Sequence, residues 1–248
     1  MNLIIGRKPV LEAINSGEHI DQIYIQYGQK GSIITAIQVS AKKRKIKCSL
    51  IPSEKFNKLT LNHHSQGVAA KRSGYKFYQL SEVISSAKSS KYPLILLLDS
   101  VQDTHNLGAI LRTAECAGVH GIILTRHQSA PVNETVYKTS AGAVEYVKIV
   151  QVNNLNQTIK ELKENGLWIV GSYLEDPEEK NSKSKVYNDM DYNIPIALIV
   201  GNEGKGIRRL TADNCDFLVN IPMSGKIQSL NVSVAAGILL FEILRQRK

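Results

Sequence analysis

The sequence predicts an α/β protein, with a parallel-sheet domain over residues 93–248 behind a smaller α/β/α layer over residues 1–72. Two observations carry the larger domain. Leu94–Leu98, Ile122–Thr125, Trp168–Ser172, Ile196–Val200 and Phe217–Ile221 are continuous apolar runs, the pattern of strands buried on both faces. Helical stretches fall between them, around 107–117, 155–165 and 204–212, and a last one runs over 230–246. Such alternation builds a parallel sheet covered by helices on both sides. The third observation divides the chain. Residues 1–92 hold 15 basic and 5 acidic residues, whereas 93–248 hold 16 and 17, so the front part carries the whole excess of a chain whose net charge is +9. A step of this kind marks two parts with different tasks, the first facing an anionic partner.

The front elements follow in order. Gly6-Arg7-Lys8-Pro9 leads into Val10-Leu11-Glu12-Ala13-Ile14, a helix with Pro9 in its first turn and Gly17 as its stop. Ile20 to Ile25 reads as a strand. Ser32 to Lys45 has helical periodicity through Ile33, Ile34, Ile37 and Ala41 and closes on Lys42-Lys43-Arg44-Lys45, where cations suit the negative end of a helix. Lys47 to Ile51 and Gly67 to Ala70 are short strands. Residues 73–92, polar and rich in Ser and Lys, read as a linker with one possible helical turn after Leu80.

Several classes are set aside. No apolar run is long enough to cross a bilayer, and the first eight residues lack the basic-then-apolar order of a secretion signal. Cys48, Cys116 and Cys215 lie far apart without a CxxC, which argues against a disulfide framework or a zinc finger. A reduced, cytoplasmic protein without a metal site is expected. His19, His120 and His127 have no partner spacing and read as structural or exposed.

Ligands of open parallel sheets gather at the carboxyl ends of the strands, and three of the loops there are unusual. In Asp99 to Glu115, Asn106 can cap the helix that follows, Gly108 allows close approach to its first turn, and Arg112 and Glu115 share one face. Taken alone this is equally a capped helix with a salt pair. Gly201-Asn202-Glu203-Gly204-Lys205-Gly206 is not a P-loop, since two residues rather than four separate the first Gly from Gly-Lys, and no Gly stands at Arg209 to complete a dinucleotide fingerprint. Its glycines imply tight turns and either a plain loop or close contact with a ligand. Ile221 to Ser233 ends in Ser229, a good cap for a helix whose Leu230, Val234, Ile238, Phe241 and Leu244 form an apolar face.

Together, Asn106-x-Gly-x-x-x-Arg112, Gly201-Asn202-Glu203-Gly204 and Ile221-Pro222-Met223 followed by Ser229-Leu230-Asn231-Val232-Ser233 resemble, in order and spacing, the three signature motifs of the SpoU (TrmH) family. These are RNA ribose 2′-O-methyltransferases of the SPOUT superfamily, and the resemblance spans residues 94–247. Gly6 to Ile14 and Gln66 to Ala70 are similar to the L30e-like substrate-binding domain of the branch that methylates guanosine in 23S rRNA. That domain often has His directly before Gln-Gly-Val; here Ser65 holds the place, with His63-His64 just upstream.

The resemblance implies a C-terminal domain with a deep trefoil knot, a homodimer whose active site draws on both subunits, and S-adenosylmethionine as cofactor. It places the cofactor against the backbone around Gly201, Ile221, Met223 and Leu230, with Thr125 at an adjacent strand end. It makes Arg112 the central catalytic residue, surrounded by Asn106, Glu203, Ser229 and Asn231. Arg112 is then either the general base or, better suited to an arginine, a charged group that holds a phosphate and stabilises a developing alkoxide. Arg7, Lys8, Lys42, Lys43, Arg44, Lys71 and Arg72 are the expected contacts to RNA phosphates. The expected substrate is rRNA, with tRNA as the alternative within the class and a non-catalytic RNA-binding protein as the reading outside it.

Overall fold

The computed structural model describes residues 3–18, 20–61, 65–72, 75–174, 184–202, 204 and 206–248. They form two compact units, Met1–Lys76 and Phe77–Lys248. At this boundary the first unit holds 13 basic and 4 acidic residues and the second 18 of each, so the net charge of +9 belongs to the first unit entirely.

The first unit is a four-stranded sheet between helices. Its elements run β1 (Leu3–Ile5), α1 (Arg7–Ser16), β2 (Ile20–Gln26), α2 (Ser32–Lys43), β3 (Lys47–Ile51), α3 (Ser53–Thr60) and β4 (Val68–Arg72). The sheet order is β1-β4-β2-β3, with β2 and β3 parallel and the other two pairs antiparallel. Alternation along the strands sorts the core. Ile23, Ile25, Val68 and Ala70 join Val10, Ile14, Ile34 and Ile37 of α1 and α2, while Tyr24 and Ala69 turn the other way, onto Phe56 and Leu59 of α3. The expected α/β/α layering is therefore present. Neither β1 nor α3 is foreseen by the sequence reading.

The second unit contains α4 (Leu80–Ala87), β5 (Leu94–Leu98), α5 (Thr104–Cys116), β6 (Gly121–Thr125), α6 (Glu134–Thr139), β7 (Ile149–Val152), α7 (Leu155–Glu164), β8 (Trp168–Ser172), β9 (Ser184–Val186), β10 (Ile196–Val200), α8 (Arg209–Asp213), β11 (Phe217–Asn220) and α9 (Val232–Gln246). All seven strands are parallel, in the order β7-β6-β5-β10-β8-β11-β9. Ile95, Leu97, Ala197 and Ile199 face a core built with Val83, Ile84 and Ala87 of α4 and Leu155, Ile159 and Leu162 of α7. The alternate residues Leu96 and Leu198 are equally buried, as a sheet covered on both faces requires, and α9 packs on both α5 and β10.

The reading of 73–92 as a linker is corrected from Phe77 onward. Residues 80–87 form α4, opened by a capping box in which Gln79 and Glu82 bond reciprocally. Its apolar side is part of the main core of the second unit, and Tyr78 bridges in parallel to Val150. Its serines lie off this apolar side, Ser81 and Ser85 exposed and Ser86 bonded to Lys148 at 2.8 Å. At the other end of the unit, the Arg247 guanidinium donates to the carbonyls of Tyr92 at 3.0 Å, Tyr192 at 2.9 Å and Ile194 at 2.7 Å. Burial lowers its pKa to about 10. This residue ties the end of α9 to the segments that lead into β5 and β10.

Candidate active site

The carboxyl ends of β5, β6, β10 and β11 share one edge of the parallel sheet, and the residues singled out above lie on these strand ends and on the loops and helices that follow them. The loop after β10 folds back on itself. Asn202 and Gly206 exchange two backbone hydrogen bonds, of 3.0 and 2.8 Å, and the Asn202 Oδ1 accepts the Gly204 N–H at 3.0 Å. A Cβ on Gly201 would stand 2.1 Å from the Gly206 carbonyl carbon and 2.3 Å from the Ile207 nitrogen. Only glycine fits there, because what it meets is backbone and cannot step aside. Glu203, expected beside Arg112, lies outside the described residues.

The loop after β11 is open by contrast. Among the described residues no backbone group from Ile221 to Leu230 enters a backbone–backbone hydrogen bond. Ile221, Met223, Ser229 and Leu230 are half-buried, and Ile227 is 78% exposed. Within this stretch the Gly225 carbonyl accepts the Gln228 side-chain amide at 3.4 Å, and a loop with so few internal backbone bonds, at the same sheet edge as the glycine hairpin, suits recognition of a ligand by backbone.

At the start of α9, Asn231 is the cap, accepting the Ser233 N–H at 2.9 Å and its hydroxyl at 2.6 Å. This replaces Ser229, the cap expected from the sequence. At the start of α5 the cap is Asp103, which accepts the Asn106 N–H at 2.8 Å, and not Asn106 itself. Freed from capping, the Asn106 Oδ1 accepts from the Asn231 Nδ2 at 3.0 Å, so the first and third motifs touch. Gly108 does admit a close neighbour, but that neighbour is the chain itself. A Cβ at 108 would stand 1.8 Å from the Thr139 Oγ1 on α6.

Arg112 projects from α5 into solvent and makes no hydrogen bond or ion pair among the described residues. Glu115 is also exposed, and no ion pair joins the two. A guanidinium exposed on α5 and unpaired among the described residues can take an anionic oxygen. Thr125 ends β6 buried, its hydroxyl donating to the His127 carbonyl at 2.7 Å and lying 2.8 Å from the Ser129 hydroxyl. His127 is exposed; His120 is structural, its Nδ1 lying 3.1 Å from the Leu94 nitrogen and 3.2 Å from the Leu94 carbonyl oxygen.

One residue at this edge escaped the sequence reading. Asp99, directly after β5, is fully buried and ion-paired with Arg208 at 2.8 Å. The available signal was an acid placed directly after five apolar residues, Leu94 to Leu98.

In the first unit the seven candidate RNA contacts separate into two sets. Arg7 donates to the Gln66 carbonyl at 3.0 Å and to the Gln29 side chain, Arg44 to the Asn15 carbonyl at 3.1 Å, and Arg72 grips Glu18 through two bonds of 2.6 and 3.1 Å. Lys8, Lys42, Lys43 and Lys71 are exposed. Ser65 is buried, and His63, His64 and His19 lie outside the described residues.

Comparisons with known proteins agree with this layout. Residues 93–241 match the model of the SpoU rRNA methylase family, and residues 3–78 match that for RNA 2′-O ribose methyltransferase substrate binding. The chain is 37% identical over 246 residues to YacO, a TrmH family tRNA/rRNA methyltransferase of Bacillus subtilis (strain 168), covering 98% of this chain and 95% of that one. Among solved structures it is similar to an AdoMet-bound rRNA methyltransferase from Sinorhizobium meliloti, with a TM-score of 0.60 and 26% identity over 98% of this chain and 86% of that one. It is also similar to a TrmH/SpoU tRNA-modifying enzyme from A. aeolicus, with a TM-score of 0.57 and 34% identity over 68% and 82% of the two chains.

Proposed function

The chain belongs to the SpoU methylase family and is an S-adenosylmethionine-dependent RNA methyltransferase; from that premise we propose that it methylates the 2′-hydroxyl of a ribose, in a guanosine of 23S rRNA. The observation that carries the reading is the 3.0 Å bond between Asn231 and Asn106, which joins the first and third motifs beside the glycine hairpin of the second. The match of residues 3–78 to a 2′-O ribose substrate-binding model supports the 2′-hydroxyl as acceptor. A ribose of tRNA is the second reading, supported by the 34% identity to a tRNA-modifying enzyme.

S-adenosylmethionine, when bound, supplies a methyl group already activated on a sulfonium centre. The chain has then mainly to align the acceptor oxygen and ease the loss of its proton, and alignment can be worth effective molarities of about 10⁵–10⁸ M. Gly201, Ile221, Met223 and Leu230 would hold the cofactor by backbone, with Thr125 shaping the neighbouring strand end. Arg112 would grip a phosphate of the target nucleotide and stabilise negative charge growing on the 2′-oxygen, since a guanidinium is not deprotonated in proteins. Asn106, Ser229 and Asn231 would set the floor of the site, and Glu203 or a phosphate oxygen would take the proton.

The first unit is the RNA grip in this reading. Lys8, Lys42, Lys43 and Lys71 would meet phosphates directly, while Arg7, Arg44 and Arg72 add field from tethered positions. An outward stripe on α9, with Val234 49% and Phe241 48% exposed on either side of Ile238, supports a homodimer; that its subunits are knotted and cytoplasmic is carried over from the family resemblance.

The test is to map ribose methylation on total RNA from cells with and without the gene. Loss of one 2′-O-methylguanosine in 23S rRNA is expected; loss of a tRNA mark instead selects the second reading, and no lost mark refutes both. In purified protein, Arg112→Ala should lower methyl transfer by about 10³-fold while RNA affinity stays within a few-fold, read by transfer of labelled methyl and by filter binding.

A further inference from the structure

The roles above leave the carboxylate of Asp99 unused. A charge buried completely behind a run of five leucines and isoleucines is costly, and an apolar side chain would fill the same space without that cost. What the carboxylate adds is direction. Its Oδ1 accepts the Arg208 Nε–H at 2.8 Å, its Oδ2 accepts the Arg208 backbone N–H at 3.1 Å, and the Ser100 hydroxyl lies 3.2 Å from Oδ1. The Asp99 N–H donates to the Val200 carbonyl at 2.9 Å, which keeps the residue in line with the end of β10. Next in the chain, the Ser100 carbonyl accepts the Asn202 Nδ2–H at 3.3 Å. Two consecutive residues of the β5 loop therefore hold both stems of the hairpin that follows β10. Ser100 holds the outgoing stem through Asn202, and Asp99 holds the returning stem through Arg208.

We propose that Asp99, acting through Arg208, is a positioning residue for S-adenosylmethionine. It fixes the neck of the 201–208 hairpin so that the backbone at Gly201 is presented in a single geometry, and it touches neither the cofactor nor the RNA. This rests on the placement of the cofactor against Gly201 in the reading above. The pairing is two-point on a buried oxygen pair, one point a side chain and the other a main-chain N–H. It therefore fixes the path of the backbone, as a surface salt bridge between flexible side chains would not. Arg208 is half exposed and can be altered from the solvent side.

The experiment measures S-adenosylmethionine binding by calorimetry and steady-state kinetics on the full chain for Arg208→Gln, Asp99→Asn, the double variant and Arg208→Lys. Arg208→Gln and Asp99→Asn are each expected to raise the cofactor Kd and KM by about tenfold, with kcat at saturating cofactor and KM for RNA within about twofold. The double variant should bind no more weakly than the weaker single one, because both break the same pair, and Arg208→Lys should recover most of the loss. If Asp99→Asn does not fold, Arg208→Gln decides alone. Cofactor affinity within about twofold of the parent in Arg208→Gln, or a loss confined to kcat, overturns the proposal. Gly201→Ala separates it from its premise. If that change leaves cofactor affinity intact, the cofactor is not held at Gly201 and both fall; if it destroys affinity while Arg208→Gln does not, the placement stands and the positioning role alone is lost.

Discussion

The loops that leave β10 and β11 lie at the same edge of one sheet and are built in opposite ways. The first is closed by the chain itself, with stems exchanging backbone hydrogen bonds and no room for a single methyl at Gly201. From Ile221 to Leu230 the second makes no backbone–backbone bond among the described residues. In the reading proposed above, the cofactor would meet one wall whose shape is settled by packing and another with few backbone bonds of its own. The closed loop sets shape in advance, so its ordering cost is met during folding, whereas ordering of the open loop would be charged against binding.

Substitutions on the two sides should therefore behave unequally. Gly201→Ala forces backbone against backbone and should weaken cofactor binding more than about 100-fold, with a loss of stability of about 1–3 kcal/mol, read by calorimetry and chemical denaturation. Unchanged affinity would erase the contrast. Asn231→Ala removes both the cap of α9 and the bond to Asn106, and should lower stability by about 1 kcal/mol and methyl transfer by about tenfold. Gly225→Ala, in the open loop, places a Cβ no nearer than 4.0 Å to the Ile227 nitrogen. Cofactor affinity should stay within about twofold, and a large loss would show that the open loop is as constrained as the closed one.

The smallest effect lies away from this edge and serves as its reference. Burial holds the pKa of His120 below its ordinary 6.5, with Arg247 and Lys148 adding to the depression and a ring N–H directed at the Leu94 carbonyl opposing it. The folded chain prefers the neutral ring, so this contribution is complete above 6.5 and declines as pH falls through that value and the unfolded chain takes up the proton first. The denaturation midpoint should be lower at pH 5.5 than at pH 7.5, by less in His120→Asn, while cofactor affinity is unaffected by that substitution.

The strands of the second unit were legible because burial on both faces leaves a continuous signature. Leu94–Leu98, Trp168–Ser172 and Ile196–Val200 were read with the bounds observed. Helix α4 was read only as one possible turn after Leu80 within a linker, since three of its eight residues are serines and the sequence shows the solvent side as plainly as the core side. The caps were misassigned for a related reason: Asp103, Asn106, Ser229 and Asn231 are all competent caps, and only the path of the chain decides which one meets the free N–H groups. The close approach expected at Gly108 is present, but a glycine records that something comes close without saying what, and here it is Thr139. Asp99 went unseen because an acid after a strand is what the start of an ordinary loop looks like; its burial comes from Arg208, far along the chain.

The strand order has a consequence for the life of the molecule before it is complete. β10 stands at the centre of the sheet, between β5 and β8, with Leu94 opposite Ile196 in register. During synthesis the two halves of the sheet thus wait for a strand made long after β5, and the hairpin behind it follows later still. Contacts of such high sequence separation fold slowly and leave sheet edges bare meanwhile. The backbone around Gly201 therefore takes its place only after β10 has entered the sheet between β5 and β8.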